Sequence, residues 1–104
     1  MSRSPRMQQI EDLLADDPTD AFLRYGLAME YASIGDEATA ALKLQELIQE
    51  TPYVPAFLQA GQILNRIGKV DEAISALKQG IREAQKQNDL HAMGEMQGLL
   101  GSIE

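Results

Sequence analysis

The chain has no cysteine and no tryptophan, a single histidine, and only five aromatic residues, two Phe and three Tyr. Without cysteine there is no disulfide framework, no thiolate metal site and no thiol nucleophile, and nothing that marks an oxidising compartment. No apolar run approaches the ~20 residues that a membrane-spanning helix needs. Met1 to Met7 carry two arginines with no apolar stretch behind them, so no leader is expected and the protein reads as soluble and cytoplasmic. Basic residues are also scarce: 9 Lys and Arg stand against 16 Asp and Glu, for a net charge of −7. A phosphate-backbone ligand normally requires a basic stripe, so neither nucleic acid nor a membrane is an expected partner.

What the chain does have is aliphatic residues at helical spacing. Apolar residues make up 44% of its 104 positions, a length for one domain that buries roughly two-thirds of its unfolded surface, and Leu, Ile and Ala without Trp suit a core between helices. Pro18, Gly35, Pro52 with Pro55, and Gly68 punctuate it into segments of 12 to 17 residues, each fit for a helix of three to four turns. From Thr19 to Ile34 the apolar face is Leu23, Leu27, Ala28, Tyr31 and Ile34, with Asp20 or Thr19 available as a cap. From Asp36 to Glu50 it is Ala40, Ala41, Leu44, Leu47 and Ile48, and from Val70 to Lys86 it is Ala73, Ile74, Leu77, Ile81 and Ala84. Charge is uneven, since residues 11–50 carry ten acids against Arg24 and Lys43, while residues 51–88 carry three acids against five bases.

These stripes repeat. Ala28, Gly61 and Gly94 are 33 residues apart, as are Gly35, Gly68 and Gly101, each preceded by Ile34, Ile67 or Leu100. On that period Ala40 superposes on Ala73, Leu44 on Leu77 and Ile48 on Ile81, so the repeating unit is a pair of helices. A pair cannot bury its apolar face alone and must stack on a neighbour. At the front, Ile10, Leu13 and Leu14 match Leu44, Leu47 and Ile48 at an offset of 34, giving a second helix without its first. At the back, Leu90, Met93, Gly94 and Gln97 match Phe57, Ala60, Gly61 and Leu64, giving a first helix without its second. One domain, 1–104, is thus expected to hold a half-repeat helix at 5–15, full pairs at 19–52 and 54–87, and a capping helix at 89–101. On this register Gly94 allows a close helix approach, as Ala28 and Gly61 do, and Gly101 ends its helix, as Gly35 and Gly68 do. Gly98 has neither role and costs ~1 kcal/mol relative to Ala, so the last helix is expected to fray.

The spacing W-x2-L-G-x2-Y, then A-x3-F, then P, resembles the tetratricopeptide repeat. One copy reads Arg24, Leu27, Ala28, Tyr31, Ala40, Leu44 and Pro52; the other reads Phe57, Ala60, Gly61, Leu64, Ala73 and Leu77, with Gln85 in the place of Pro. Arg24 departs from the aromatic of the pattern. The whole chain is also similar to small bacterial tetratricopeptide proteins with a middle like YGLAMEYASIGD and an end like GIREAQKQNDLHAMGEM. The resemblance implies an all-α fold, a right-handed α-α superhelix of two full pairs between a half-repeat helix and a capping helix. It also implies a stand-alone scaffold for protein–protein contacts, with no catalytic residues and no cofactor.

In proteins with this repeat the first helices line a concave groove. The period offers Tyr25, Leu58 and His91; Met29, Gln62 and Glu95; Ala32, Asn65 and Gly98; and Ser33, Arg66 and Leu99 as its columns. Phe22, Tyr25, Met29 and Ala32 form an apolar stripe beyond the core face, which either packs between first helices or lines the groove. Gln62, Asn65 and Arg66 fit a polar groove wall or a solvated face. Tyr25, Met29, Leu58 and Gln62 supply no cations for a clamp on a terminal carboxylate, so the expected ligand is an extended or helical peptide with one apolar anchor. His91 and Glu95, one turn apart, fit a solvent-facing pair better than a metal site. The run Glu11, Asp12, Asp16, Asp17, Asp20 lacks the oxygen ligands and central Gly of a calcium loop. A second expectation is self-association, as a homodimer, through Met7, Ile10 and Leu14 at one end and Met96, Leu99, Leu100 and Ile103 at the other.

Overall fold

Short polar side chains fix where most of the helices begin. In the computed structural model, which describes residues 3–104, α1 (Pro5–Asp16) starts where Ser4 Oγ accepts the Met7 amide at 3.2 Å, with Pro5 at a position whose missing N–H is harmless. Asp20 accepts the Leu23 amide at 2.9 Å to open α2 (Ala21–Ser33), and Asp36 accepts that of Thr39 at 3.2 Å to open α3 (Glu37–Glu50). Asp89 does the same for Ala92 at 3.1 Å ahead of α6 (Leu90–Ile103). The two remaining starts have no side-chain cap. Pro55 occupies the first turn of α4 (Val54–Arg66), and Asp71 with Glu72 occupies that of α5 (Val70–Lys86), where the amide end of a helix favours negative charge.

Three turns close in the same way. Gly35 (φ 89), Gly68 (φ 85) and Asn88 (φ 57) take the left-handed conformation after α2, α4 and α5. In each, the next amide reaches back to a carbonyl five residues earlier: Asp36 to Tyr31 at 2.9 Å, Lys69 to Leu64 at 2.8 Å, Asp89 to Ala84 at 2.8 Å. Each turn reverses the chain within three residues. α2 and α3 therefore form one pair, α4 and α5 a second, and the pairs stack in chain order as an α-α superhelix, with α1 against α2 and α6 against α5 and α4. Among the described residues there is no strand, and no helix is long and apolar enough to cross a membrane.

The core is where small residues meet large ones. A Cβ added at Gly61 would lie 2.4 Å from Leu77 Cδ2, and one at Gly80 would lie 2.5 Å from Phe57 Cβ and 2.5 Å from Met96 Sδ. Only glycine lets α4 and α5 approach that closely. Leu44, Leu47, Phe57, Ile63, Leu64 and Leu77 are fully buried, and no polar or charged side chain is buried among the described residues.

The end helices depart from the sequence register. Met7 and Met96, expected on the outer surfaces of the ends, are fully buried instead, and Leu99, Leu100 and Ile103 pack partly against the core. Leu90, aligned with the buried Phe57, is 61% exposed, and Gln97 is exposed where Leu64 is buried. Gly94 has nothing within 4 Å of an added Cβ, so it mediates no close approach. The reason is the missing neighbour: among the described residues no second helix follows to meet the outer face of α6, while its other face packs on α5. At the opposite end Leu13, aligned with the buried Leu47, is 55% exposed because no first helix precedes α1 among the described residues. Nor does Gly101 end its helix, since α6 continues to Ile103.

Candidate interaction groove

The first helices of the stack, α2, α4 and α6, share one cavity of about 240 Å³. Tyr25 comes from α2, Leu58 from α4, and His91 and Glu95 from α6; Val54, Pro55, Gln59, Asp89 and Ala92 complete the lining. The repeat period brings them together, because residues 33 apart on stacked helices fall on the same side of the stack. Tyr25 is half-buried, its ring 5.4 Å from that of Tyr53 and tilted at 56°, a geometry aromatic pairs prefer. Burial pushes the Tyr25 hydroxyl above its ordinary value of 10.0, helped by Tyr53, while Gln59 pulls the other way. Phe22, one turn before Tyr25, is 68% exposed rather than packed between helices.

Two carboxylates stand at the α6 rim. Asp89 is engaged with the Ala92 amide, and Glu95 Oε1 lies 3.1 Å from His91 Nε2 on the exposed helix surface. The floor is apolar and the rim acidic. Among the described residues no cluster of three or more metal-ligating side chains occurs, and the groove holds no nucleophile paired with a base.

The other expected groove residues lie outside this cavity. Met29, Gln62 and Asn65 are half-buried further along α2 and α4. Arg66 turns toward α3, its Nε and Nη2 donating to Glu37 Oε2 at 2.8 and 2.6 Å, which commits its guanidinium to a second helix. Conversely, Pro55, Gln59, Asp89 and Ala92 line the cavity although they stand in none of the expected columns.

A separate cleft of about 200 Å³ lies among α1, α2 and α3, lined by Leu14, Pro18, Arg24, Leu27, Lys43 and Glu46. It follows from Arg24. Its counterpart Phe57 fills the core, whereas Arg24 reaches outward to Glu50 Oε2 at 2.7 Å and leaves the space open.

No family model matches the chain. It is 29% identical over 99 residues to a TPR repeat-containing protein of Pseudomonas aeruginosa, a match that covers 94% of each. Among solved structures it is similar to a tetratricopeptide repeat domain protein of Salinibacter ruber. The crystal structure of that protein gives a TM-score of 0.75 at 27% identity, over 81% of this chain and 94% of that one. Its solution structure gives 0.77 at 28% identity, over 84% and 89%. A Bordetella parapertussis protein shares the fold, with a TM-score of 0.79 at 24% identity over 96% of this chain and 88% of its own. Fold and relatives agree: the chain shares the α-α superhelix of tetratricopeptide repeat domain proteins and is similar in sequence to a bacterial protein with that repeat. That fold is in general a protein–protein interaction module and not an enzyme.

Proposed function

We propose that this protein is a non-catalytic cytoplasmic adaptor that holds a peptide or protein segment in the groove of α2, α4 and α6. One observation carries the reading: Tyr25, Leu58, His91 and Glu95, from three successive first helices, line a single cavity with an apolar floor. Tyr and Leu there supply anchor contacts, and the exposed Phe22 extends the apolar surface beside them. Asp89 and Glu95 at the rim, on a chain of net charge −7, favour a ligand whose apolar anchor is flanked by Lys or Arg and disfavour acidic partners such as nucleic acid.

Selection from a random peptide library tests this. Enriched peptides should carry an apolar residue next to basic ones, and their affinity should fall with salt. Replacing both Tyr25 and Leu58 by Asp should abolish binding with helicity retained, and Glu95→Lys should weaken it without touching the core. Peptides that bind all three proteins equally would reject the groove.

A second reading, assembly through the terminal helices, is favoured by Leu13 and Leu90, which remain 55% and 61% exposed at positions where their interior counterparts are buried.

A further inference from the structure

We propose that copies of this chain join head to tail, α6 of one copy forming a helix pair with α1 of the next. This rests on the second reading above and gives it a geometry. Such a joint continues the interfaces inside the molecule. In the α4–α5 pair, Gly61 lies against Leu77 and Phe57 against Gly80. The repeat period carries Phe57 and Gly61 of the first helix onto Leu90 and Gly94 of α6, and it carries Leu77 and Gly80 of the second helix, through Leu44 and Leu47, onto Ile10 and Leu13 of α1. Three of these four positions are open: Leu13 and Leu90 are largely exposed and an added Cβ at Gly94 meets nothing within 4 Å, while Ile10 is half-buried, its Cδ1 3.6 Å from a Cβ added at Gly26 of α2. Among the described residues α1 is a second helix without a first, and α6 a first helix without a second. Each supplies what the other lacks.

The outer face of α6 supports the same occupant. Leu90, Gly94, Gln97 and Gly101 fall on one stripe of the helix, and none is charged, whereas an end helix that faces water permanently needs a polar outer face. Gly94→Ala would restore helix propensity, yet glycine stands there, at the position where Gly61 admits Leu77. On α1 the matching stripe holds Arg6, Gln9, Leu13 and Asp16, so the joint is wet at its margins and association depends on concentration. Every copy carries a charge of −7, and screening that repulsion with salt strengthens association. Because the two surfaces are different, the interface is heterologous and does not close on itself at two copies.

Sedimentation equilibrium over a wide concentration range, at physiological and at higher salt, tests the proposal. The mean mass of the unmodified protein should rise past two chains, further at higher salt. Leu13→Asp and Leu90→Asp each remove one partner surface at a solvent-exposed position, so each variant alone should stay monomeric, with association weakened at least tenfold. An equimolar mixture of the two should form a dimer and stop there, because one intact α6 meets one intact α1. Circular dichroism checks that both variants are folded, and Leu13→Gln with Leu90→Gln replaces any variant that is not. A mass fixed at one chain throughout overturns both this proposal and the assembly reading. A dimer formed by either variant alone, or a wild-type mass that stops at two, overturns the head-to-tail geometry and leaves a two-fold assembly in its place.

Discussion

The same substitution, glycine to alanine, should move stability in opposite directions at two positions of this fold. Both Gly80 and Gly98 lie inside helices, α5 and α6, so alanine gains ~1 kcal/mol of helix propensity at each. At Gly98 an added Cβ meets nothing within 4 Å, and that gain is uncontested. At Gly80 it would stand 2.5 Å from Met96 Sδ and 2.5 Å from Phe57 Cβ. The sulfur can swing aside; the Phe57 Cβ, one bond from the α4 backbone, cannot, so the two helices must separate. Overpacking of this kind costs about 1–3 kcal/mol, and the rigid neighbour places it at the upper end, for a net loss of roughly 2 kcal/mol. With an unfolding entropy of ~2.1 cal/mol/K per residue, each 1 kcal/mol shifts the Tm of a chain this size by about 4–5 °C. Thermal unfolding of dilute protein, followed by far-UV circular dichroism, should therefore show Gly98→Ala up by about 4–5 °C and Gly80→Ala down by roughly 8–10 °C. Gly61→Ala should fall between them, since its nearest neighbours, Cδ2 and Cγ of Leu77 at 2.4 and 2.6 Å, belong to a side chain that can rotate, unlike the Cβ of Phe57. A Gly80→Ala protein as stable as the parent would refute the claim that glycine sets the α4–α5 spacing.

Tyr25 titrates above its ordinary value of 10.0, so the folded state holds its proton more tightly than the unfolded state. Its contribution is complete below that value and is lost as pH rises through the higher folded value; the alkaline fall in the urea midpoint should be shallower in Tyr25→Phe. Asp20→Ala removes the acceptor of the Leu23 amide and should cost ~1 kcal/mol, read as a lower urea midpoint at unchanged slope. Arg66→Ala breaks an exposed pair with Glu37 and should change stability by less than ~1 kcal/mol; a larger loss would mean that the pair fixes the α3–α4 packing.

The fold was legible because a repeat writes its contacts twice. Ala28 with Gly61, Leu44 with Leu77 and Gly35 with Gly68 each announce one position in two places, and the interior helices obey that register. The ends do not, because periodicity copies a residue's position in the unit but not its neighbour. Leu90 and Gly94 read as core by analogy with Phe57 and Gly61, yet among the described residues no second helix follows to cover them. Gly101 reads as a stop for the same reason, while the left-handed turn after α5 falls to Asn88, a residue that tolerates that conformation less often and so signals it less clearly. In the groove, period alone aligned Tyr25, Leu58 and His91. Arg66 escaped it because an acid on another helix, Glu37, redirects a long side chain in a way no spacing rule records.

The groove and the open ends occupy different surfaces, and that separation links the two proposals. In a head-to-tail chain the helix after α6 is α1 of the next copy, a second helix, and the next first helix is that copy's α2. The hollow lined by α2, α4 and α6 then runs on past the joint, and Tyr25 of the next copy continues the column of Tyr25, Leu58 and His91 along the same wall. A ligand long enough to lie across a joint binds two copies at once, and by reciprocity it must favour association as much as association favours it. A short peptide confined to one cavity of about 240 Å³ gains nothing from the joint and leaves the mean mass unchanged. Sedimentation with a selected peptide and with its tandem duplicate distinguishes these cases. The duplicate should raise the mass of the unmodified protein and of the Leu13→Asp and Leu90→Asp mixture, where the joint is present. With Leu90→Asp alone it can at most tether two copies, with no gain in affinity beyond that of the tether. Equal enhancement with and without an intact joint would show that the groove ends at α6.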